Sequence, residues 1–232
     1  GNASDLDEIS DYCAKNGLIF INDCAPALFG TFRGRPIASY GDFSALSFFA
    51  DKTITTGEGG MLLTNNIDLI NECNIYKHDG RKERGVDIIE RKGFNYRITE
   101  LQAAVGVAQL SKSSRFIKRK KENNIQFRTL LKDESNLKVF EFNQNGDIVP
   151  HRNIIFVPNA SELIVHLVAN GVGARTLFMP MHSQPCYNYA KDFPVTEKLF
   201  KTGVCLPSAP SLKDDDIKYI CQLIKKYYSK RM

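Results

Sequence analysis

The 232-residue sequence lacks the features that identify membrane or exported proteins. No apolar run approaches the roughly 18 uninterrupted residues that a membrane-spanning helix needs. The first residues, Gly1 to Asp5, have neither the basic region nor the apolar stretch of a signal peptide. We therefore expect a cytoplasmic protein that does not use a membrane as a partner. Internal repeats and low-complexity segments, which would indicate a solenoid or a disordered tail, are also missing from the sequence.

The cysteines lack any pattern of a metal site or a disulfide framework. They are scattered along the chain, with no C-x-x-C pair and no Cys/His cluster at ligand spacing: Cys13, Cys24, Cys73, Cys186, Cys205 and Cys221. We expect reduced thiols that are mostly part of the core, and no metal.

The formal charge is +5, and a short basic run lies at Lys118, Arg119, Lys120 and Lys121. A nucleic-acid-binding surface would interleave such a run with aromatic residues for base stacking, and none are present here. The run falls on a predicted helix, so we interpret it as a solvated helix face and expect no nucleic-acid partner. Binding the phosphate groups of a small substrate explains a functional excess of positive charge better than binding nucleic acid does.

Apolar patterns and turn residues predict alternating helices and strands, and hence an α/β protein. Ser4 is a candidate N-cap of the first helix, and the Thr99 helix has the spacing of a capping box with Gln102. Apolar residues on several faces predict that the Thr99 helix is mostly buried. The charged, glycine-containing segment 78–92 is predicted to be a mobile loop. The predicted helices cover 4–16, 67–76, 113–132, 161–170 and 214–228, and the strands 18–21, 44–49, 60–64, 137–142 and 153–157.

Lys52 stands out chemically because it lies between an apolar segment and the glycine-rich turn 57–60. A lysine that loses its proton there could attack an aldehyde and form a Schiff base. Asp23 ends an apolar strand and could hold the ring nitrogen of pyridoxal 5'-phosphate (PLP). Taken singly, such a lysine is usually an ordinary surface residue and such an aspartate a turn or helix cap. Together they are two parts of a PLP site.

The motifs around these residues resemble the DegT/DnrJ/EryC1/StrS family of PLP-dependent nucleotide-sugar aminotransferases. The resemblance runs through nearly the whole chain, in the same order. It is carried by Asp23-Cys24-Ala25, Ser47-Phe48-Phe49 with Lys52, Thr55-Thr56-Gly57-Glu58-Gly59-Gly60, Gly93-Phe94-Asn95-Tyr96-Arg97 with the helix that follows, Arg175-Thr176, Pro180-Met181-His182-Ser183-Gln184-Pro185, Phe193-Pro194-Val195-Thr196-Glu197 and Leu206-Pro207-Ser208.

The resemblance implies the roles of four residues. Lys52 is the Schiff-base lysine and proton shuttle, and Asp23 pairs with the pyridinium nitrogen. Ser47 is a ligand of the cofactor phosphate, and its alternative role is that of a buried strand hydroxyl. Asn95 reaches the phosphate in the neighbouring subunit, so the resemblance implies a homodimer with shared active sites. Pro26 departs from many relatives, which have a polar cofactor contact at that position.

The implied reaction moves an amino group from L-glutamate to a 4-keto-6-deoxy nucleotide-sugar for surface-glycan synthesis. Arg97 is a candidate ligand of a substrate phosphate or carboxylate. His182 and Glu197 match positions near the sugar site, although a packed structural role explains them equally well. Glu58 is expected to be structural, bonded within its turn.

The implied fold is the aspartate-aminotransferase-like fold type I, with a three-layer α/β/α large domain and a small α+β domain. We expect residues 1–113 to be the C-terminal part of the large PLP-binding domain and residues 114–232 to be the small domain. The N-terminal third of the family, which supplies a phosphate-binding helix N-terminus and an aromatic ring that stacks on PLP, is expected to be missing. The alternative function is therefore a catalytically inactive fragment or paralogue that only dimerises.

Overall fold

The computed structural model describes residues 1–187 and 191–229. These residues form two compact units. The first contains residues 1–116 and 143–149, and the second contains 117–142 and the chain from residue 150 onward. The assignment of these units to a large PLP-binding domain and a small domain stays a prediction.

The first unit is built on a mixed sheet of three strands in the order β1-β4-β5. Strands β1 and β4 are parallel, and β4 and β5 are antiparallel. A separate two-stranded ribbon joins β2 to β3. The elements are α1 (Leu6–Lys15), β1 (Ile21–Asp23), β2 (Thr31–Phe32), β3 (Arg35–Pro36), β4 (Phe43–Ser47), β5 (Gly60–Leu63), α2 (Ile67–Lys77) and α3 (Glu100–Leu110).

Helix α1 begins one residue later than predicted. Asp5 rather than Ser4 is the N-cap, and its side chain accepts a hydrogen bond from the Glu8 amide. A carboxylate at this position also interacts favourably with the partial positive charge of the helix N-terminus. Because capping depends on which side chain reaches the free amides, two adjacent capping residues cannot be told apart by type alone.

The predicted buried strand at residues 18–21 is wrong in both position and burial. The strand is Ile21–Asp23, and Leu18, Ile19 and Ile21 are exposed by 52%, 74% and 68%. No other element of the first unit, within its described residues, shields these side chains from solvent. Apolar composition alone does not reveal whether a covering layer is present.

Helix α3 starts as predicted and is exposed where it was expected to be buried. The Thr99 hydroxyl accepts from the Gln102 amide, and the Gln102 side chain accepts from the Thr99 amide, so the capping box is confirmed. However, Leu101, Val105 and Val107 are exposed by 83%, 47% and 70%. The mostly buried helix is therefore a wrong prediction for this unit, because its described elements pack against only part of the helix surface.

The second unit packs helices on an antiparallel sheet in the order β6-β7-β9-β8. Its core includes Phe127, Leu163, Leu167, Ile217 and Ile224, all nearly inaccessible to solvent. Its elements are most of α4 (Ser113–Leu131), then β6 (Lys138–Val139), β7 (Asn153–Phe156), α5 (Ala160–Ala169), β8 (Arg175–Thr176), α6 (Pro194–Thr202), β9 (Gly203–Leu206) and α7 (Asp214–Ser229).

The basic run on α4 is only partly a solvated helix face. Lys118 is exposed, as expected, but Lys120 is 3% exposed and its Nζ donates to the Ser208 carbonyl at 3.2 Å. Arg119 donates to the Leu212 carbonyl and pairs with Asp214 at 2.8 Å. These two cations are not free in solvent because they donate to carbonyl groups of the loop that leads into α7.

The cysteines are free thiols, and Cys24, Cys205 and Cys221 are buried while Cys186 is exposed. Among the described helices, none is both long and apolar enough to cross a membrane. The described residues also contain no group of three or more side chains suited to hold a metal ion.

Candidate active site

Two polar residues end neighbouring parallel strands on the same side of the sheet in the first unit. Strands β1 and β4 are parallel, with Asp23 opposite Ala45, and β4 ends at Ser47. Because the carboxyl ends of parallel strands lie on the same side of a sheet, the side chains of Asp23 and Ser47 belong to the same edge. This is the edge at which open α/β sheets bind ligands.

Lys52 is held in a turn just beyond the same strand end. We call residues 48–59 the lysine turn. The Phe48 amide donates to the Gly59 carbonyl at 2.8 Å, and the Phe48 carbonyl accepts from the amide of Thr56 and the hydroxyl of Thr55. The Lys52 side chain is 17% exposed, with its Nζ 3.9 Å from Asp51. The backbone of the turn is therefore fixed around a mostly buried lysine.

The carboxylate of Asp23 is the charged group at the end of β1. Its Oδ1 accepts from the Ala25 amide at 3.0 Å, and the residue is exposed. The next residue, Cys24, is fully buried, and this burial raises the pKa of its thiol. Cys24 therefore stays a neutral thiol, and the charge available to a ligand at this edge comes from Asp23.

The Ser47 hydroxyl remains able to donate a hydrogen bond. Its Oγ accepts from the Phe49 amide at 3.3 Å. A hydroxyl that accepts a bond still carries its own proton, so Ser47 can donate that proton to an anionic oxygen.

Helix α3 is tied directly to the lysine turn. The Gln102 amide group donates to the Glu58 carbonyl at 3.1 Å, and the Thr56 hydroxyl donates to the same oxygen at 2.7 Å. Glu58 is thus bonded within its turn as expected, through its backbone carbonyl, while the residue itself is exposed. The capping pattern predicts the bonds between Gln102 and Thr99 from the sequence. The bond from Gln102 to Glu58 could not be predicted from that pattern, because it joins residues far apart in the chain.

Asn95 and Arg97 lie in the segment that leads into α3, and both are exposed. The Arg97 Nε donates to the Asn95 Oδ1 at 3.3 Å, and an Arg97 nitrogen lies 3.5 Å from an Asp79 oxygen. Sequence reasoning missed Asp79, although the Asp79-Gly80 pair is a recognisable turn signal. The contact of Asn95 with a neighbouring subunit stays a prediction.

His182 and Glu197 lie in the second unit and contact each other. The His182 Nε2 is 3.4 Å from the Glu197 Oε1, and the imidazole lies 4.8 Å from the Phe193 ring, centroid to centroid. Lys201 is 3.8 Å from the other oxygen of Glu197. The two side chains therefore contact each other, and both the packed role and a role toward a sugar stay predictions.

The side chains at the sheet edge suit PLP chemically. An amine can bond to an aldehyde, a carboxylate can pair with a protonated ring nitrogen, and a hydroxyl can donate to a phosphate oxygen. Lys52, Asp23 and Ser47 supply these three groups from adjacent parallel strands and the turn that follows.

Comparisons with known proteins identify a family for the chain. The model of the DegT/DnrJ/EryC1/StrS aminotransferase family matches residues 1–225. A relative named GDP-perosamine synthase, from Escherichia coli O157:H7, is 34% identical over 239 residues, which cover 99% of this chain and 64% of the relative. The chain therefore spans slightly less than two thirds of that protein's length.

Solved structures share the fold. The aminotransferase TlmJ from Streptoalloteichus hindustanus superposes with a TM-score of 0.94 at 21% identity, covering 100% of this chain and 64% of TlmJ. DesI, solved in the presence of its TDP-sugar product, gives a TM-score of 0.88 at 26% identity, covering 97% of this chain and 59% of DesI. The predicted α/β fold of this class of aminotransferases is confirmed.

Proposed function

Because the chain belongs to the DegT/DnrJ/EryC1/StrS aminotransferase family, we propose that it serves a PLP-dependent aminotransferase acting on a nucleotide-sugar. The observation that supports the proposal is that Asp23 and Ser47 end the parallel strands β1 and β4 on the same side of the sheet, with Lys52 in the turn that follows β4. The fold alone would not carry it, since one fold hosts many activities.

When bound, PLP would supply an aldehyde that receives an amino group and a ring that withdraws electrons from the reacting carbon. Lys52 would bond to that aldehyde through Nζ. Once released as a free amine, the same Nζ would take a proton from the α-carbon of the amino-acid donor and deliver it to the cofactor. Asp23 would keep a proton on the ring nitrogen, and Ser47 would donate its hydroxyl proton to the phosphate.

The substrate proposal goes further than the family. We infer that the amino acceptor is a 4-keto-6-deoxy nucleotide-sugar and that L-glutamate is the donor, giving a 4-amino-4,6-dideoxy sugar for surface-glycan synthesis. The relatives named GDP-perosamine synthase, from Escherichia coli O157:H7 and Vibrio cholerae, support this choice at 34% identity each. His182 and Glu197 are the candidate residues near the sugar, and Arg97 is a candidate for a phosphate or carboxylate.

We also propose that the active enzyme is a homodimer in which Asn95 donates to the cofactor phosphate of the partner subunit. Asn95 is exposed, and the helix that follows it exposes apolar side chains, including Leu101, Val107 and Leu110. Exposed apolar residues grouped on one element are typical of an interaction surface. A two-fold contact through this region would be self-complementary.

Borohydride trapping tests the proposal. The protein is incubated with PLP, reduced with borohydride and digested, and the pyridoxyl mass is located by peptide mass spectrometry. The label is expected on Lys52 and should be lost in Lys52→Ala. Lys112→Ala, which removes an exposed lysine of the same unit, is the matched control and should leave the label in place. A label on another lysine would contradict the assignment of Lys52.

The alternative function, a catalytically inactive protein that only dimerises, also agrees with the exposed apolar side chains of α3. The same trapping experiment separates the two functions. A protein that dimerises but does not bind the cofactor would form no PLP absorbance band that borohydride removes, and would carry no pyridoxyl label.

A further inference from the structure

The segment that carries Asn95 is fixed by backbone pairing with the end of α2. The Phe94 amide donates to the Tyr76 carbonyl at 2.7 Å, the Asp79 amide to the Phe94 carbonyl at 3.1 Å, and the Tyr96 amide to the Lys77 carbonyl at 3.2 Å. Asn95 itself lies opposite His78 in an antiparallel bridge. We call the paired segments 76–80 and 93–97 the neck, because they close the loop between them.

Two glycines allow the neck to close. A Cβ on Gly80 would lie 1.8 Å from the Arg91 carbonyl oxygen, and a Cβ on Gly93 would lie 2.0 Å from the Gly80 nitrogen. These separations are far below any contact between nonbonded atoms, so the backbones can approach this closely only without side chains. The loop 81–92 is therefore tied at its base, and the backbone of Asn95 is held in one place.

The side chain of Asn95 is oriented as well. A guanidinium group has only hydrogen-bond donors, so the atom of Asn95 that faces Arg97 must be its carbonyl oxygen. The two N–H bonds of the amide then point away from Arg97. This leaves Asn95 presenting donors outward, which is the arrangement that an anionic oxygen requires.

Arg97 is in turn held by Asp79, at 3.5 Å. Asp79 has a φ of +58° in the left-handed region, which aspartate and asparagine tolerate better than most residues. Its backbone is held in the neck by a hydrogen bond to Phe94. Its carboxylate pairs with the guanidinium group that donates to Asn95.

From these contacts we propose that Asp79 and Arg97 are positioning residues, which orient the Asn95 amide so that its N–H groups face the cofactor phosphate. The proposal rests on the proposed function, in which Asn95 binds that phosphate. It adds the orientation of Asn95 to the candidate substrate contact of Arg97.

The test measures how strongly each variant prefers PLP to pyridoxal, which lacks the phosphate. Dissociation constants for both compounds are obtained by absorbance titration of the protein and of Asn95→Ala, Asp79→Asn and the double variant. Asp79→Asn removes the charge while keeping a residue type that adopts a positive φ. Asp87→Asn is the matched control, because Asp87 forms an ion pair with Arg81 in the same loop without contacting Asn95.

We expect Asp79→Asn to reduce the preference for PLP by about threefold to tenfold, the range for the net contribution of one ordinary hydrogen bond. The double variant should match Asn95→Ala, since Asp79 acts only through Asn95. Asp87→Asn should leave the preference unchanged. Arg97→Lys, which keeps the charge but loses the planar donor group, should behave like Asp79→Asn.

Two results would overturn the proposal while leaving the proposed function intact. One is an unchanged preference in Asp79→Asn when Asn95→Ala has lost it, and the other is a double variant whose loss is the product of the two single losses. If Asn95→Ala itself keeps the full preference for PLP, the phosphate role of Asn95 is wrong, and the positioning role fails with it.

Discussion

The carboxylate of Asp23 and the amine of Lys52 sit in different surroundings, and the difference bears on how each would act. Asp23 is exposed and accepts a backbone hydrogen bond from the Ala25 amide. Lys52 is mostly buried within a turn whose backbone is fixed. A carboxylate suits a partner for a protonated nitrogen, and an amine held in a turn of fixed backbone suits a nucleophile.

Replacing Asp23 with asparagine should therefore impair turnover much more than cofactor binding. The amide can still bond to the ring nitrogen, but it has no charge to hold a proton there. We expect a fall in kcat of at least about a hundredfold, comparable to losing one acid–base contribution, with a change in the PLP dissociation constant of less than about tenfold. Steady-state kinetics with an amino donor and absorbance titration give the two values. A kcat close to that of the parent protein would contradict the role of Asp23.

Burial also predicts which thiols react. Burial raises the pKa of Cys221 to about 12 and raises the pKa values of Cys24 and Cys205 as well. A raised thiol pKa favours the protonated form, so at pH 8 these three cysteines lack the thiolate that alkylating reagents require. We expect iodoacetamide to label exposed Cys186 first under native conditions, as measured by peptide mass spectrometry. The same digestion after unfolding should show all six cysteines labelled, and early labelling of Cys221 would contradict the buried core.

At the scale of elements, the neck and the start of α3 form a continuous support for the candidate site. The neck fixes Asn95, the capping box starts α3 at Thr99, and Gln102 ties α3 to the lysine turn. Each connection joins a loop to a regular element through hydrogen bonds that the structure defines. These hydrogen bonds therefore connect the segment of Asn95 to the lysine turn within the first unit.

The neck offers a matched pair of glycine substitutions. Gly80 and Gly85 share a φ of +79°, but a Cβ at Gly85 meets nothing within 4 Å. Gly85→Ala should therefore lower the free energy of unfolding only through backbone strain, by about 1–2 kcal/mol at most. Gly80→Ala adds a clash with the Arg91 carbonyl and should open the neck. Limited trypsin digestion should then cut the basic loop 81–92 faster in Gly80→Ala than in Gly85→Ala. Equal cleavage rates would show that the neck does not restrain the loop.

The capping box of α3 should contribute measurably to stability. Thr99→Ala removes the hydroxyl that satisfies the Gln102 amide and should lower the free energy of unfolding by about 1 kcal/mol. Thr129→Ala, at an exposed position within α4, is the control and should be neutral or slightly stabilising, because alanine favours a helix interior. Urea unfolding followed by circular dichroism measures both. A loss in Thr129→Ala as large as in Thr99→Ala would argue against a specific cap.

At the scale of the whole molecule, both units expose large apolar side chains, and the second also has a core of buried residues. The chain also spans 64% of the GDP-perosamine synthase relatives that it matches. Exposed apolar residues of α3 and β1 belong to the same unit as the candidate site. The quaternary arrangement is therefore the property on which the proposed shared site depends most.

Subunit mixing tests that arrangement. Lys52→Ala and Asn95→Ala would each remove a different contributor to one composite site. In a mixed dimer, one site carries both lesions and the other carries neither, so about half of the activity per mixed dimer should return. The test requires that each variant alone be severely impaired and that native mass spectrometry confirm exchange. Confirmed exchange without recovered activity would rule out a site shared between subunits.

The sequence by itself determined the longer helices, the capping box at Thr99 and the chemical groups of the candidate site. These features depend on local patterns and on residue types, which a sequence displays directly. Even so, the strands β2, β3, β8 and β9 were not predicted, because they span few residues, and the helix α6 was not predicted either.

Only the tertiary structure decided burial, register and long-range contacts. It exposed Ile19 and Leu101, buried Lys120, and placed the ends of β1 and β4 at one edge. It also joined Asp79 to Arg97 and Gln102 to Glu58. The apolar character of a side chain sets the free energy that it gains on burial. Whether the side chain is buried depends on elements from elsewhere in the chain. For that physical reason the chemistry of the site could be predicted from its residues, and the orientation of those residues could not.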